Sequence, residues 1–139
     1  MIIVDTGFWV GLANRRDQNH CQCQVILRHC TEPLITTYPV LVETIHLLFQ
    51  RIGVSMTLAW FDTVQVEGFE LFTLEASHLP RMGRLMHQYA DLPMDLADAS
   101  LVILAEHLGH GRIVSTDRRD FHTYRWKNQH PCHNLLAVD

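Results

Sequence analysis

A chain of 139 residues, 47% hydrophobic and 19% charged, carries enough apolar material for one globular core over residues 1–139, which excludes a disordered or low-complexity polymer. Its formal net charge of −4 supplies no general field for nucleic acid, so any such partner needs a local basic patch. "MIIVDTGFWV" lacks a basic leader and no stretch nears the roughly 20 apolar residues of a membrane span, so the expected setting is cytoplasmic, with no membrane partner and all four cysteines reduced.

Residues 2–4, "IIV", read as a short buried strand that ends at Asp5, Thr6 and Gly7 in a turn. A short helix, "FWVGLAN", follows, then the polar break "RRDQNH" and a second helix over about 19–30. "PLITT" is the next strand. In "YPVLVETIHLLFQRIG", Pro39 suits a first helical position and Gly53 the residue past the end, which places Glu43 in the second turn. Residues 54–66 read as a helix, "FELFTL" as a strand, and 76–90 as a helix that tolerates Pro80 only near its start.

The segment "PMDLADASLVILAEHLG" starts a helix near Asp95, stopped by Gly109. Asp95 suits the N-cap and Asp98 then falls at the third helical position, where a carboxylate favours the helix dipole. "RIVST" is another buried strand, "DRRDF" turns away from it, and "NLLAV" is a candidate last strand. Strands alternating with helices predict a mostly parallel sheet with helices on both faces, whose sites form beyond the carboxyl ends of the strands.

Asp5 and Asp117 follow two of those strands, and Glu43 and Asp98 lie early in helices that the same topology brings to that edge. Gathering four carboxylates is unfavourable unless a cation offsets their charge. Mg²⁺ or Mn²⁺, which take hard oxygen ligands and keep bound waters, would suit metal-assisted phosphodiester hydrolysis.

The four stretches "IIVDTGFWV", "LVETIHLL", "PMDLADASLVILAE" and "IVSTDRRDF" resemble, in order and separation, the acidic motifs of PIN-domain ribonucleases, and most closely the VapC toxins of bacterial toxin-antitoxin pairs. The resemblance implies an α/β PIN-like three-layer domain with a mostly parallel central sheet flanked by helices. It implies Asp5, Glu43, Asp98 and Asp117 as catalytic, metal-holding carboxylates for Mg²⁺ or Mn²⁺, with Thr6, Thr116, Asp95 and Asp120 in support. It further implies an RNA substrate, a homodimer and a small antitoxin that blocks the site, the apolar helices around 41–49 and 54–64 being the candidate contact surfaces.

Arg15 and Arg16, with Arg118 and Arg119, are candidate phosphate contacts, the second pair within a basic run that includes Arg112, Arg125 and Lys127. Each acidic residue also has a plain structural reading as a turn, cap or solvated helix residue. Three other functions compete. A zinc site from His20, Cys21, Cys23, His29 and Cys30, or from "HPCH", lacks C-x-x-C pairing. A haloacid-dehalogenase-type phosphatase needs an Asp where Gly7 stands. A catalytically silent PIN fold that only binds a partner protein is the non-enzymatic alternative.

Overall fold

The computed structural model describes residues 1–136, except the side chains of Arg118 and Arg119. In chain order it runs β1 (Ile2–Val4), α1 (Thr6–Ala13), α2 (His20–His29), β2 (Leu34–Thr37), α3 (Tyr38–Arg51), α4 (Val54–Glu67) and β3 (Glu70–Phe72). A single 3₁₀ turn (Ala76–His78) leads into α5 (Leu79–Gln88), followed by α6 (Leu96–Leu108), β4 (Arg112–Val114) and α7 (Arg118–Thr123). The chain closes with β5 (Arg125–Trp126), β6 (His130–Pro131) and β7 (His133–Asn134).

The central sheet has the order β3-β2-β1-β4-β7 and every pairing in it is parallel. Helices flank it, as expected of α/β alternation. β5 and β6 form a separate antiparallel hairpin, turned by Lys127 and Asn128, both at positive φ. The central strands are too short and too buried to alternate: Ile2, Ile3, Val4, Ile113 and Val114 are all in the core. Among the described residues, no helix is long and apolar enough to cross a membrane.

α6 is the structural axis. Its residues from Ala99 to Ala105 are all buried, and it packs on β1 and β2 as well as on α3 and α5. A helix buried nearly all round cannot show an amphipathic stripe, which is why "SLVILAEHL" reads as uniformly apolar. The polar Ser100 within it is satisfied by Ala97 O and Thr37 Oγ1, both at 2.6 Å.

Two boundaries differ from expectation. No turn separates β1 from α1: Asp5 is itself the N-cap, its Oδ1 accepting from Thr6 N at 2.7 Å, so Gly7 lies inside the first helical turn. The last sheet pairing falls at His133–Asn134 rather than along "NLLAV", whose Ala137 and Val138 lie outside the described residues.

Gly7 and Gly83 are both helical glycines, and they have opposite constraints. A Cβ on Gly7 would sit 1.7 Å from Thr116 Oγ1, whereas one on Gly83 would meet nothing within 4 Å. Gly7→Ala is therefore expected to destabilise the fold by about 1–3 kcal/mol through overpacking, while Gly83→Ala stabilises it by about 0.5–1 kcal/mol through helix propensity. Urea unfolding of the two variants checks both signs; equal shifts would contradict the packing of Thr116 on α1.

Candidate functional site

The register of the sheet places the first two acids. Ile3 pairs with Ile113 and Val4 with Val114, so β1 and β4 end side by side, and Asp5 N donates to Val114 O at 3.1 Å. Directly beyond, Ser115 Oγ donates to Asp5 Oδ2 at 2.7 Å and accepts from Asp117 N at 3.0 Å. Ser115 is held in turn by Asn134 of β7, whose amide accepts from Ser115 N (3.1 Å) and donates to Ser115 O (2.9 Å). One hydroxyl thus fixes the positions of both strand-end acids.

The hydroxyl bound to Asp5 is that of Ser115, a residue the sequence did not single out. Thr116 packs its side chain against Gly7, while Thr6 contributes its backbone N–H to Asp5 and its side chain to Glu43. Side-chain alternation explains the difference: neighbouring residues at a strand end point to opposite faces, so Ser115 and Thr116 cannot both reach Asp5.

The helices supply the other acids. Asp95 caps α6, its Oδ1 accepting from Asp98 N at 2.8 Å, which places Asp98 in the first helical turn. Asp98 Oδ2 also accepts from the hydroxyl of the buried Tyr124 at 3.1 Å. Glu43, from the second turn of α3, reaches the same cleft and shares a carboxyl–carboxyl hydrogen bond with Asp95. Asp120 N donates to Asp117 Oδ1 at 3.3 Å, and their side chains are hydrogen-bonded as well.

These groups line a cleft of about 360 Å³ beyond the carboxyl ends of β1 and β4, with Val10, Leu47, Leu92 and Pro93 as its apolar wall. All four acids singled out in the sequence are here, with Asp95 and Asp120. Asp17 and Arg51 also line it, and neither was foreseen. Tyr124 was not foreseen either: a tyrosine just past a short helix carries no periodic signal. Arg51 could have been found from α3, where it stands eight residues after Glu43 on one helical face.

Arg15 and Arg16 are exposed in the turn after α1, next to Asp17. Of Arg118 and Arg119 only the backbone is described, in the first turn of α7. The wider basic run does not form one patch. Arg112 pairs with Glu32 at the start of β4, away from the carboxylates, and Arg125 donates to the carbonyls of His122, Thr123 and Tyr124. The cysteines do not gather either: Cys21 is exposed, while Cys23 is buried with its Sγ 2.7 Å from where a Cβ of Gly11 would be.

Burial and mutual repulsion dominate the electrostatics. Asp98 is pushed up to about 8, first by burial and then by the charges of Asp5 and Asp95. Glu43 rises to about 7 by burial and the charge of Asp95, and Asp117 to about 6 by burial and its hydrogen bond to Asp120. Asp5, only 6% exposed, is raised as well, chiefly by burial, with Ser115 opposing. Among the described residues no three acidic, histidine or cysteine side chains close into a coordination cluster. The donor set nonetheless fits a hard divalent cation: Asp5, Glu43, Asp95, Asp98, Asp117 and Asp120 line the cleft as oxygen donors, with Thr6 beside them.

A raised carboxylate pKa has a definite sign in stability. The folded state binds more protons than the unfolded one, so its contribution is complete at low pH and is lost as pH rises through the folded values, about 6 to 8 here. In chelator, the melting temperature is expected to fall between pH 5 and 8.5, on the order of 5 °C. Asp98→Asn is expected to flatten that slope. A melting temperature that is constant or rising across this window in wild-type protein would contradict the geometry.

The sequence matches the PIN domain model over residues 2–127. Ribonuclease VapC26 of Mycobacterium tuberculosis is 25% identical over 124 residues, covering 89% of this chain and 92% of that protein. The crystal structure of Mycobacterium tuberculosis VapC20, described as a sarcin-ricin loop cleaving toxin, matches with a TM-score of 0.78 at 20% identity, over 86% of this chain and 92% of that one. With the acidic motifs, the parallel sheet and the match over residues 2–127 in agreement, this chain belongs to the PIN-domain family.

Proposed function

We propose that this protein is a metal-dependent ribonuclease acting as the toxin of a toxin-antitoxin pair. The observation that carries the reading is the convergence of Asp5, Glu43, Asp98 and Asp117, from four separate elements, on one cleft at the carboxyl edge of the sheet. The similarity to proteins named as VapC ribonuclease and RNA-cleaving toxin supports it. A role limited to partner binding leaves this charge concentration without a purpose.

Asp5 and Asp98 are the principal holders of Mg²⁺ or Mn²⁺, with Glu43 and Asp117 completing the set. Such an ion would acidify a water and offset charge developing on the phosphodiester. The protein's own part is orientation. Ser115 and the Thr6 N–H fix the Asp5 carboxylate, and Tyr124 and the backbone N–H of Asp95 fix that of Asp98. Asp95 and Asp120 hold Glu43 and Asp117 by carboxyl hydrogen bonds. Val10, Leu47 and Pro93 give the cleft an apolar side.

Two exposed apolar regions support the proposed partners. Tyr38, Val42 and Leu96, 58%, 68% and 46% exposed, line an apolar groove of about 550 Å³ that shares Glu43 and Asp95 with the acidic cleft. We assign this groove to a second copy of the chain. The exposed Val54, Met56 and Leu58 of α4 are the apolar contact for the antitoxin. The working compartment is the cytoplasm, where the RNA is.

Purified protein is expected to cut cellular RNA with Mg²⁺ or Mn²⁺ and to stop in chelator. Asp5→Asn and Asp98→Asn are each expected to lose more than the ~10–100-fold typical of residues that only support ligands, and Tyr124→Phe to lose about tenfold. Gel analysis of total RNA with timed sampling makes the measurement. Undiminished cleavage by both Asn variants would sink the proposed site.

A further inference from the structure

We propose that Arg51 binds a backbone phosphate of the RNA flanking the one that is cut, a role that rests on the ribonuclease reading above. Glu43, Leu47 and Arg51 stand at i, i+4 and i+8 of α3, and all three line the acidic cleft. Arg51 closes the helix, about 12 Å along the axis from Glu43 at 1.5 Å per residue. Its Cα–Cβ bond tilts back toward the helix N-terminus, and so toward the carboxylates. It therefore sits at the rim of the cleft and not at its acidic centre, which suits a neighbouring phosphate better than the scissile one.

Arg51 forms no ion pair among the described residues and, unlike the similarly unpaired Arg15, Arg16, Arg28 and Arg84, it lines the acidic cleft. Arg112 and the N-terminal amine are used by Glu32, Arg81 by Glu106, and Arg125 by backbone carbonyls. Arg51 is exposed beside a cleft walled by carboxylates, yet among the described residues it forms no ion pair. Asp17, which also lines the cleft, accepts from Asn19 N at 2.8 Å and shapes the turn after α1.

A planar guanidinium that is not spent on neutralising the cleft matches a phosphate by two parallel hydrogen bonds. In a protein of net charge −4, one such contact matters: it gives RNA a point of attachment beside the acids without bringing another anion among them. The recognised chemistry is a phosphodiester of single-stranded or looped RNA, read without base specificity.

The test uses the full chain with Mn²⁺ and a short, mixed-sequence, fluorescently labelled single-stranded RNA, followed by anisotropy at several salt concentrations. Arg51→Ala and Arg51→Gln are expected to weaken binding about tenfold and to reduce the slope of log K against log salt by about 0.7, the share of one phosphate on a single strand. Arg51→Lys keeps the slope while recovering only part of the affinity, because a point charge lacks the fork. The rise in melting temperature caused by Mn²⁺ stays as in wild type in all three. Unchanged affinity and slope in Arg51→Ala, or a loss matched by an equal loss of the Mn²⁺ response, would overturn the proposal. If wild-type protein cleaves no cellular RNA while the binding difference persists, the hydrolytic reading falls and the phosphate contact stands.

Discussion

Like-charge repulsion is the constraint around which this molecule is arranged. Asp5, Glu43, Asp95, Asp98, Asp117 and Asp120 share one cleft, and the raised pKa values of Asp5, Glu43, Asp98 and Asp117, set by burial and then by neighbouring carboxyl groups, express what it costs to hold them there. Asp5, Asp95, Asp98 and Asp117 are each tied to a donor, from a distant element for Asp5 and Asp98 and from their own helix starts for Asp95 and Asp117. At the N-termini of α1 and α6, Thr6 N donates to Asp5 and Asp98 N to Asp95, and the helix dipoles favour the negative charge beside them.

The sheet supplies the precision. Because β1 and β4 are parallel and in register at Val4 and Val114, the residues just beyond them meet without any long loop. Ser115 sits at that meeting point, and its attachment to Asn134 links the edge strand β7 to the acidic cleft. Deep burial of α6 serves the same end: the helix that presents Asp98 is anchored by Leu101, Val102 and Leu104, so its charged first turn cannot retreat from its neighbours. Removing repulsion by moving apart is thereby closed off, and neutralisation by protons or by a cation is what remains.

Much of this was legible in the sequence, for identifiable reasons. The runs "IIV", "LITT" and "RIV" are β-branched and bounded by polar residues, and the caps Pro39, Asp95 and Gly109 mark helix ends by local chemistry alone. Asp5 and Asp117 were placed because parallel sheets put strand ends at one edge. What was not legible depends on packing between distant segments. Ser115 and Thr116 are equally good hydroxyls in sequence, and only the pleat decides between them. Gly7 reads as a turn residue until Thr116 is seen against it, and Tyr124 carries no sequence signal for the hydrogen bond its hydroxyl makes to Asp98. The basic run after Arg112 looked continuous because sequence proximity hides that Arg112 lies at the far end of its strand.

The central claim, that the carboxylate cluster exists to hold a divalent cation, is tested most directly by calorimetric titration of Mn²⁺ into chelator-stripped protein at pH 7 in two buffers of different ionisation enthalpy. Carboxyl groups with folded values near 7 and 8 must give up protons when a cation binds between them. The account predicts saturable binding whose apparent enthalpy differs between the buffers by a proton release that Asp98→Asn diminishes. Binding without proton release, or no binding below millimolar Mn²⁺, would contradict it.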